Sequence, residues 1–305
     1  MRSTAATAAD ARSVEARRRA RAQRRLARKA LKKIPFYIVL FFIALYTLFP
    51  FYWVIRSSIT PEGELFVTPV RYIPLHPTLQ NFRDVLSSGD FQQALINSTI
   101  VAGTVTLISL AIGSLAGYAL GRFRFRGRAA ALYLLLAMTI FPQIAILGAL
   151  YPLINDFGLF TSLGALVFSY LIFTLPFTAW VLTSFMRALP GDLEEAAYVD
   201  GASPFTVFWR VMLPLIAPGL VVAGLLAFIA AWNEFLYALS FTETVDKHTV
   251  PVAIVTFTGK TGNSFQTPWG QIMAATVIVT VPLIVLTLLF QRRILAGLTA
   301  GAVKG

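Results

Sequence analysis

Glu194-Glu195-Ala196-Ala197-Tyr198-Val199-Asp200-Gly201-Ala202-Ser203-Pro204, running on to Pro214, is the longest polar interruption in the C-terminal half without a basic cluster. It predicts two short helices meeting at a tight turn. Asp192 is placed to cap the first by accepting from its free backbone N–H groups, with Glu195 at the reciprocal capping-box position. Gly201 suits the left-handed residue that ends this helix. Ser203 caps the second, with Pro204 at its first position, where a missing N–H costs nothing. Phe205, Phe208, Trp209 and Met212 follow at helical spacing and predict one apolar stripe, open either to a partner or to the chain's own spans. Pro214 closes the unit. The expected shape is a stiff helix–turn–helix knob, suited to a partner's cleft.

Long apolar segments flank the knob on both sides. Mean hydropathy is +0.71, and 13% of residues are charged, against about 25% in soluble domains. That combination marks an integral membrane protein. Charge-free runs cover 34–55, 91–121, 129–155, 157–186, 211–233 and 261–291. Each is long enough to cross a hydrocarbon core of ~30 Å at 1.5 Å per residue. The fifth is expected to continue past Glu234 to about Ser240, and 155–158 to form a tight hairpin. The fold class is all-α, with six transmembrane helices.

Orientation follows from Lys and Arg. With the N-terminus inside, the inside segments carry twelve in 1–33, four in 121–128, two in 187–214 and three in 291–305. The outside segments 56–92, 154–160 and 241–267 carry five together. Both termini and the knob are therefore expected in the cytoplasm. The domains are a basic tail, 1–33, a six-helix domain, 34–290, with the loop 188–214, and a C-terminal tail, 291–305.

Several functions are disfavoured by the same reading. The tail 1–33 interleaves no aromatic residues, which argues against nucleic acid and for attraction to anionic lipid. It is also unlike a secretory signal, whose basic region is short. There is no cysteine, and His76 and His248 lie far apart, so no metal site is expected. Gly259-Lys260-Thr261 imitates the end of a P-loop, but Ile254 stands where glycine is needed. Gly113, Gly117 and Gly121 are a packing device, within the chain or against a second one. Pro142, Pro152, Pro176, Pro218 and Pro282 can bend spans. Glu234, beside Trp232 and Asn233, is the one acid placed in a span. It either snorkels to the interface or lines a polar cavity with Asn233.

Glu195-Ala196-Ala197, Asp200-Gly201-Ala202 and Leu213-Pro214 resemble the signature loop of ABC importer permeases. The spacing and the tail from Gly297 to Gly305 are similar to the maltose/trehalose-type branch. The likeness extends to Pro77-Thr78-Leu79-Gln80-Asn81-Phe82, Asn97-Ser98, Phe141-Pro142-Gln143 and Trp232-Asn233-Glu234-Phe235. The tail 1–33 is outside the family pattern.

The resemblance implies a type I importer permease fold in a bacterial-type cell membrane, and no enzymatic activity in this chain. It makes the knob a coupling helix seated in a groove of a cytoplasmic ATPase. Glu194, Glu195, Ala196, Ala197, Asp200, Gly201, Ala202, Ser203, Phe205 and Phe208 are the docking residues. Ala300, Gly301, Val303 and Lys304 are a C-terminal ATPase contact, and Trp232, Asn233 and Glu234 line the pathway. Implied partners are a second permease, two ATPase subunits carrying ATP and magnesium, an extracytoplasmic sugar-binding protein whose cleft the 241–267 loop enters, and membrane lipid. This chain itself binds no cofactor. The implied cargo is a disaccharide or oligosaccharide of trehalose, maltose or sucrose type. The alternative from the residues alone is a secondary transporter or channel working without partners, which predicts charges in several spans.

Overall fold

The computed structural model describes residues 33–257 and 267–302, with side chains given up to residue 291. The segment 1–32, the stretch 258–266 that contains Gly259-Lys260-Thr261, and residues 303–305 lie outside them. The chain separates into a unit ending at Arg56 and a unit beginning at Ser57. The helix α1, Lys33–Ser58, supplies the described part of the first. Its side chains are exposed from 33 to 52, and the Arg56 guanidinium stands 5.1 Å from the centre of the Trp53 ring.

In chain order the second unit contains α2 (Gln80–Leu86), α3 (Gly89–Arg122), α4 (Arg128–Ile140), α5 (Gln143–Asp156), α6 (Leu163–Ala188), α7 (Asp192–Val199), α8 (Pro204–Leu215), α9 (Ala217–Trp232), α10 (Leu236–Phe241), α11 (Val250–Val255) and α12 (Trp269–Ala302). The described residues contain no strand. Among the described residues four helices, α1, α3, α6 and α12, are long and apolar enough to cross a membrane unbroken, and the number is six if each of two bent pairs is one span. α4 meets α5 at 96° and α8 meets α9 at 76°.

The first break falls at one of the prolines expected to bend a span, Pro142. At Phe141-Pro142 the proline ring excludes the helical conformation from the residue before it, and Phe141 is extended at ψ 133°. The fifth span bends between α8 and α9, stops at Trp232 and resumes as α10, which ends at Phe241, close to the expected limit. The fourth begins at Leu163 instead of 157. Gly158 turns at φ +65°, and Ser162 caps α6 by accepting from the Ala165 N–H at 3.2 Å.

α3 and α6 form the spine. Ser109 and Thr174 share a buried hydroxyl–hydroxyl hydrogen bond of 2.9 Å. Four, eight and twelve residues on, Gly113 faces Thr178, Gly117 faces Leu182 and Gly121 faces Met186. The constant offset means that the two helices run parallel, each presenting one i, i+4 ridge. The glycines let the backbones approach closely. A Cβ at Gly117 would lie 3.1 Å from the Leu182 carbonyl carbon and from the Thr183 nitrogen. The small-residue stripe therefore packs inside the subunit.

At the end of α3 remote from the knob, three residues from two of the quoted motifs act as clips. Asn97 donates from Nδ2 to the carbonyls of Asp246 and His248, at 2.9 Å each. Ser98 Oγ accepts from the Val250 N–H at 2.8 Å. Asn81 donates to the carbonyls of Ser58 and Thr60 at 3.0 and 2.9 Å. These bonds tie backbone polar groups of the flanking segments to α2 and α3.

Candidate functional site

The knob between α6 and α9 is built by local chemistry. Gly191, not Asp192, is the N-cap of α7. Its carbonyl accepts from the N–H groups of Glu194 and Glu195 at 3.0 and 3.3 Å. Asp192 is the first helical residue, so the expected capping box does not form. Asp192, Glu194 and Glu195 instead put negative charge in the first turn, where it complements the helix dipole. The C-terminus follows the sequence expectation. Gly201 is left-handed at φ +81°. The Ala202 N–H donates to Ala197 O at 2.9 Å and the Gly201 N–H to Tyr198 O at 3.0 Å, the paired bonds of a Schellman motif. Ser203 Oγ then accepts from the Thr206 N–H at 3.3 Å, with Pro204 opening α8.

α8 departs from the expected single stripe. Residues Phe208–Met212 form a π turn, in which the Leu213 N–H donates to Phe208 O. Pro214 has no N–H to give the Arg210 carbonyl, and its ring crowds that carbonyl. The wider turn relieves the crowding, and α8 runs on through Pro214 to Leu215. The five-residue step puts Val207 and Met212 on one face with Phe208. All three are buried, packed with Tyr118, Leu182 and Met186 of the spine. Phe205 and Trp209 are left outside, 69% and 50% exposed. Phe208 is thus part of the chain's own core and is withdrawn from the docking surface expected of it.

Glu194 is also turned inward. Its Oε2 lies 3.0 Å from Arg122 Nε, and the two side chains are only 14% and 10% exposed. The same guanidinium donates from Nη1 to Leu189 O at 2.9 Å and from Nη2 to Pro190 O at 3.1 Å. One planar fork thus rivets the start of the knob to the last residue of α3. Nothing local in the sequence pairs position 122 with position 194. The one available hint was that both fall in segments assigned to the same side.

The remaining knob residues face outward. Glu195, Ala196, Asp200, Gly201 and Ser203 are exposed, and Ala197 and Ala202 are half-buried. Val199, which the sequence reading did not single out, is 88% exposed. The outer surface is therefore an acidic and apolar ridge.

Trp232, Asn233 and Glu234 occupy the break after α9, and only Asn233 is exposed. Trp232 is buried in the core. Glu234 is buried too, so its carboxylate does not snorkel to the surface of the chain. Its two oxygens accept from the N–H groups of Tyr237 and Ala238 at 2.8 and 3.1 Å, capping α10. Glu234→Ala is expected to cost about 1–3 kcal/mol, because it leaves both donors buried without partners. Glu234→Gln, which keeps one good acceptor, should lose less than half of that. Thermal unfolding of the purified protein in detergent measures both, and equal losses would refute the capping role. Of the C-terminal residues, Ala300 and Gly301 lie in the last turn of α12, and Val303 and Lys304 lie outside the described residues.

Residues 109–299 match the family described as binding-protein-dependent transport system inner membrane component. The trehalose/maltose transport system permease protein MalG of Thermococcus litoralis is 43% identical over 279 residues, 91% of this chain and 99% of that protein. The trehalose transport system permease protein SugB of Mycobacterium tuberculosis is 42% identical, over 85% of this chain and 93% of that one. The sulfoquinovosyl glycerol transport system permease protein SmoH of Agrobacterium fabrum is 39% identical, over 85% and 89%. The fold also matches a chain from the crystal structure of a bacterial ABC transporter for alginate import. The TM-score is 0.73 at 20% identity, covering 86% of this chain and 96% of that one. Bent spans, a glycine-packed spine and a riveted knob thus sit on a sequence shared along nearly its whole length with these permeases, and the chain belongs to the family of binding-protein-dependent transport system inner membrane components.

Proposed function

We propose that this chain forms half of the membrane pathway of an ATP-driven importer for an α-linked disaccharide of trehalose or maltose type, with the knob as the seat of the ATPase. The observation that carries the seat is the outer ridge of the knob. Val199, Phe205 and Trp209 expose apolar surface beyond the end of the spans, next to Glu195 and Asp200. An apolar patch rimmed by charge asks for a protein cover. The Arg122 rivet makes it a stiff one, so that a cover which moves also moves the spine.

In this reading ATP and magnesium belong to two partner ATPase subunits. A second permease completes the pathway, and a binding protein delivers sugar at the opposite face. The membrane is a bacterial-type plasma membrane, with the basic tail 1–33, the knob loop 188–214 and the tail 291–305 in the cytoplasm and the span domain over 34–290. Docking falls to Glu195, Ala196, Ala197, Asp200, Gly201, Ala202, Ser203 and Phe205, with Ala300, Gly301, Val303 and Lys304 as a further contact. The names of the relatives at 42–43% identity support the sugar class. A partner-free secondary transporter is disfavoured, because the acid placed in a span, Glu234, is committed to capping α10.

Val199→Asp combined with Phe205→Asp is expected to reduce co-purification of the ATPase at least ~10-fold, the loss of about 1.4 kcal/mol or more. Membrane insertion should be unchanged, since both side chains point away from the core. Retention of the ATPase at wild-type level would overturn the seat. Reconstituted uptake of labelled trehalose and maltose with the binding protein tests the cargo.

A further inference from the structure

A second cluster of charge at the knob end takes no part in the seat. Arg124, Arg126, Arg128 and Arg187 make no ion pair with any carboxylate among the described residues. Two of them converge. Arg128 donates from Nε to Leu120 O at 2.7 Å and from Nη2 to Gly121 O at 2.8 Å. Arg187 Nη2 donates to the same Leu120 O at 3.4 Å. Two guanidinium groups on one carbonyl lie within the roughly 4–6 Å over which like charges repel strongly. No acid among the described residues pairs with either guanidinium.

Both arginines open onto one groove of about 340 Å³ between α4 and α6. Its walls change character along its length. The arginines stand at the span end, and Leu132, Tyr133, Trp180 and Leu136 line the part that runs into the span. A cationic mouth above an apolar and aromatic wall matches a lipid's phosphate above its acyl chain. Arginine forks match phosphate oxygens. Basic pockets between spans on the cytoplasmic side suit anionic headgroups, and Trp and Tyr favour the headgroup level.

We propose that this groove holds one anionic phospholipid, its phosphate between Arg128 and Arg187 and an acyl chain along Leu132 and Leu136. A free phosphate would use the arginines alone and leave the apolar wall idle. The site rests on the membrane reading above, though not on the knob being the ATPase seat.

The test is native mass spectrometry of the purified, assembled transporter titrated with phosphatidylglycerol, phosphatidylcholine or inorganic phosphate. Retention of phosphatidylglycerol over phosphatidylcholine is expected at about thirtyfold, the effect of two arginines near an anionic lipid. Arg128→Gln with Arg187→Gln should reduce the preference to within about threefold. Arg128 also satisfies backbone carbonyls, so Arg187→Gln, which loses only one long bond, serves as a separate variant and should remove about half of the preference on a logarithmic scale. Equal retention of the two lipids by the wild type would overturn the proposal, as would displacement of phosphatidylglycerol by equimolar inorganic phosphate. So would groove residues protected from labelling only when the second permease is bound, which would assign the groove to that partner. In each case intact ATPase co-purification and uptake would leave the importer reading standing.

Discussion

Arg122→Ala is expected to abolish coupled uptake while the ATPase still binds. The substitution removes the cation from a Glu194 carboxylate that is only 14% exposed and takes donors from the Leu189 and Pro190 carbonyls. Breaking a buried pair by deleting one partner costs about 3–5 kcal/mol, most of it from the charge left behind. The knob would then keep its own turn, made by Gly201, Ser203 and Pro204, but lose its fixed attachment to α3. Motion of the ATPase would be absorbed in the 189–191 segment instead of reaching the spine. Proteoliposomes containing the full transporter should show ATP hydrolysis no longer stimulated by the binding protein, with ATPase co-purification retained. Glu194→Gln keeps an acceptor and removes the buried charge, so its defect should be smaller. Arg122→Lys keeps the charge but not the planar fork, which serves four acceptors at once, and should fall between. Stimulated hydrolysis at wild-type level in Arg122→Ala would show that the rivet carries no motion.

The second large effect is expected at Gly117. In Gly117→Val the Cβ alone would sit 3.0 Å from Leu182 Cβ and 3.1 Å from two backbone atoms of α6. Backbone cannot yield as a flexible side-chain end would, so α3 and α6 must separate along the ridge. Overpacking of this kind costs about 1–3 kcal/mol, occasionally more, and three further facing pairs share the displacement. We expect about 3 kcal/mol or more, seen as loss of the folded permease from detergent extracts and a lowered thermal midpoint. Gly103→Ala is the control. Its added Cβ meets nothing within 4 Å, and alanine favours the helix by about 1 kcal/mol. If both variants unfold at the same temperature, close approach along the spine is not what holds α3 to α6.

These two sites differ in how far they could be read without coordinates. The i, i+4 glycines of α3 signal close packing by spacing alone, but not their partner, which Thr178, Leu182 and Met186 supply at a constant offset. The rivet gives no such signal. Glu194 stands in a run of exposed acids, and its inward turn depends on where α3 happens to end. The stripe from Phe205 to Met212 left a partner and the chain's own spans equally open, and the fold divides it, burying Phe208 and Met212 and leaving Phe205 and Trp209 outside. Glu234 misled because an acid in an apolar run suggests an interface or a pathway, whereas two free N–H groups three and four residues on provide a nearer use.

The amino-acid order by itself determined the membrane class, the number of apolar runs, and the turn at Gly201, Ser203 and Pro204. Each of these depends on energies summed over neighbouring residues: transfer of an apolar run, one backbone angle, one cap. The folded chain alone decided which face of the knob is buried, which acid is riveted, and where the spans bend or break. Those outcomes depend on groups brought together from distant parts of the chain, and a local pattern carries no record of what will lie across from it.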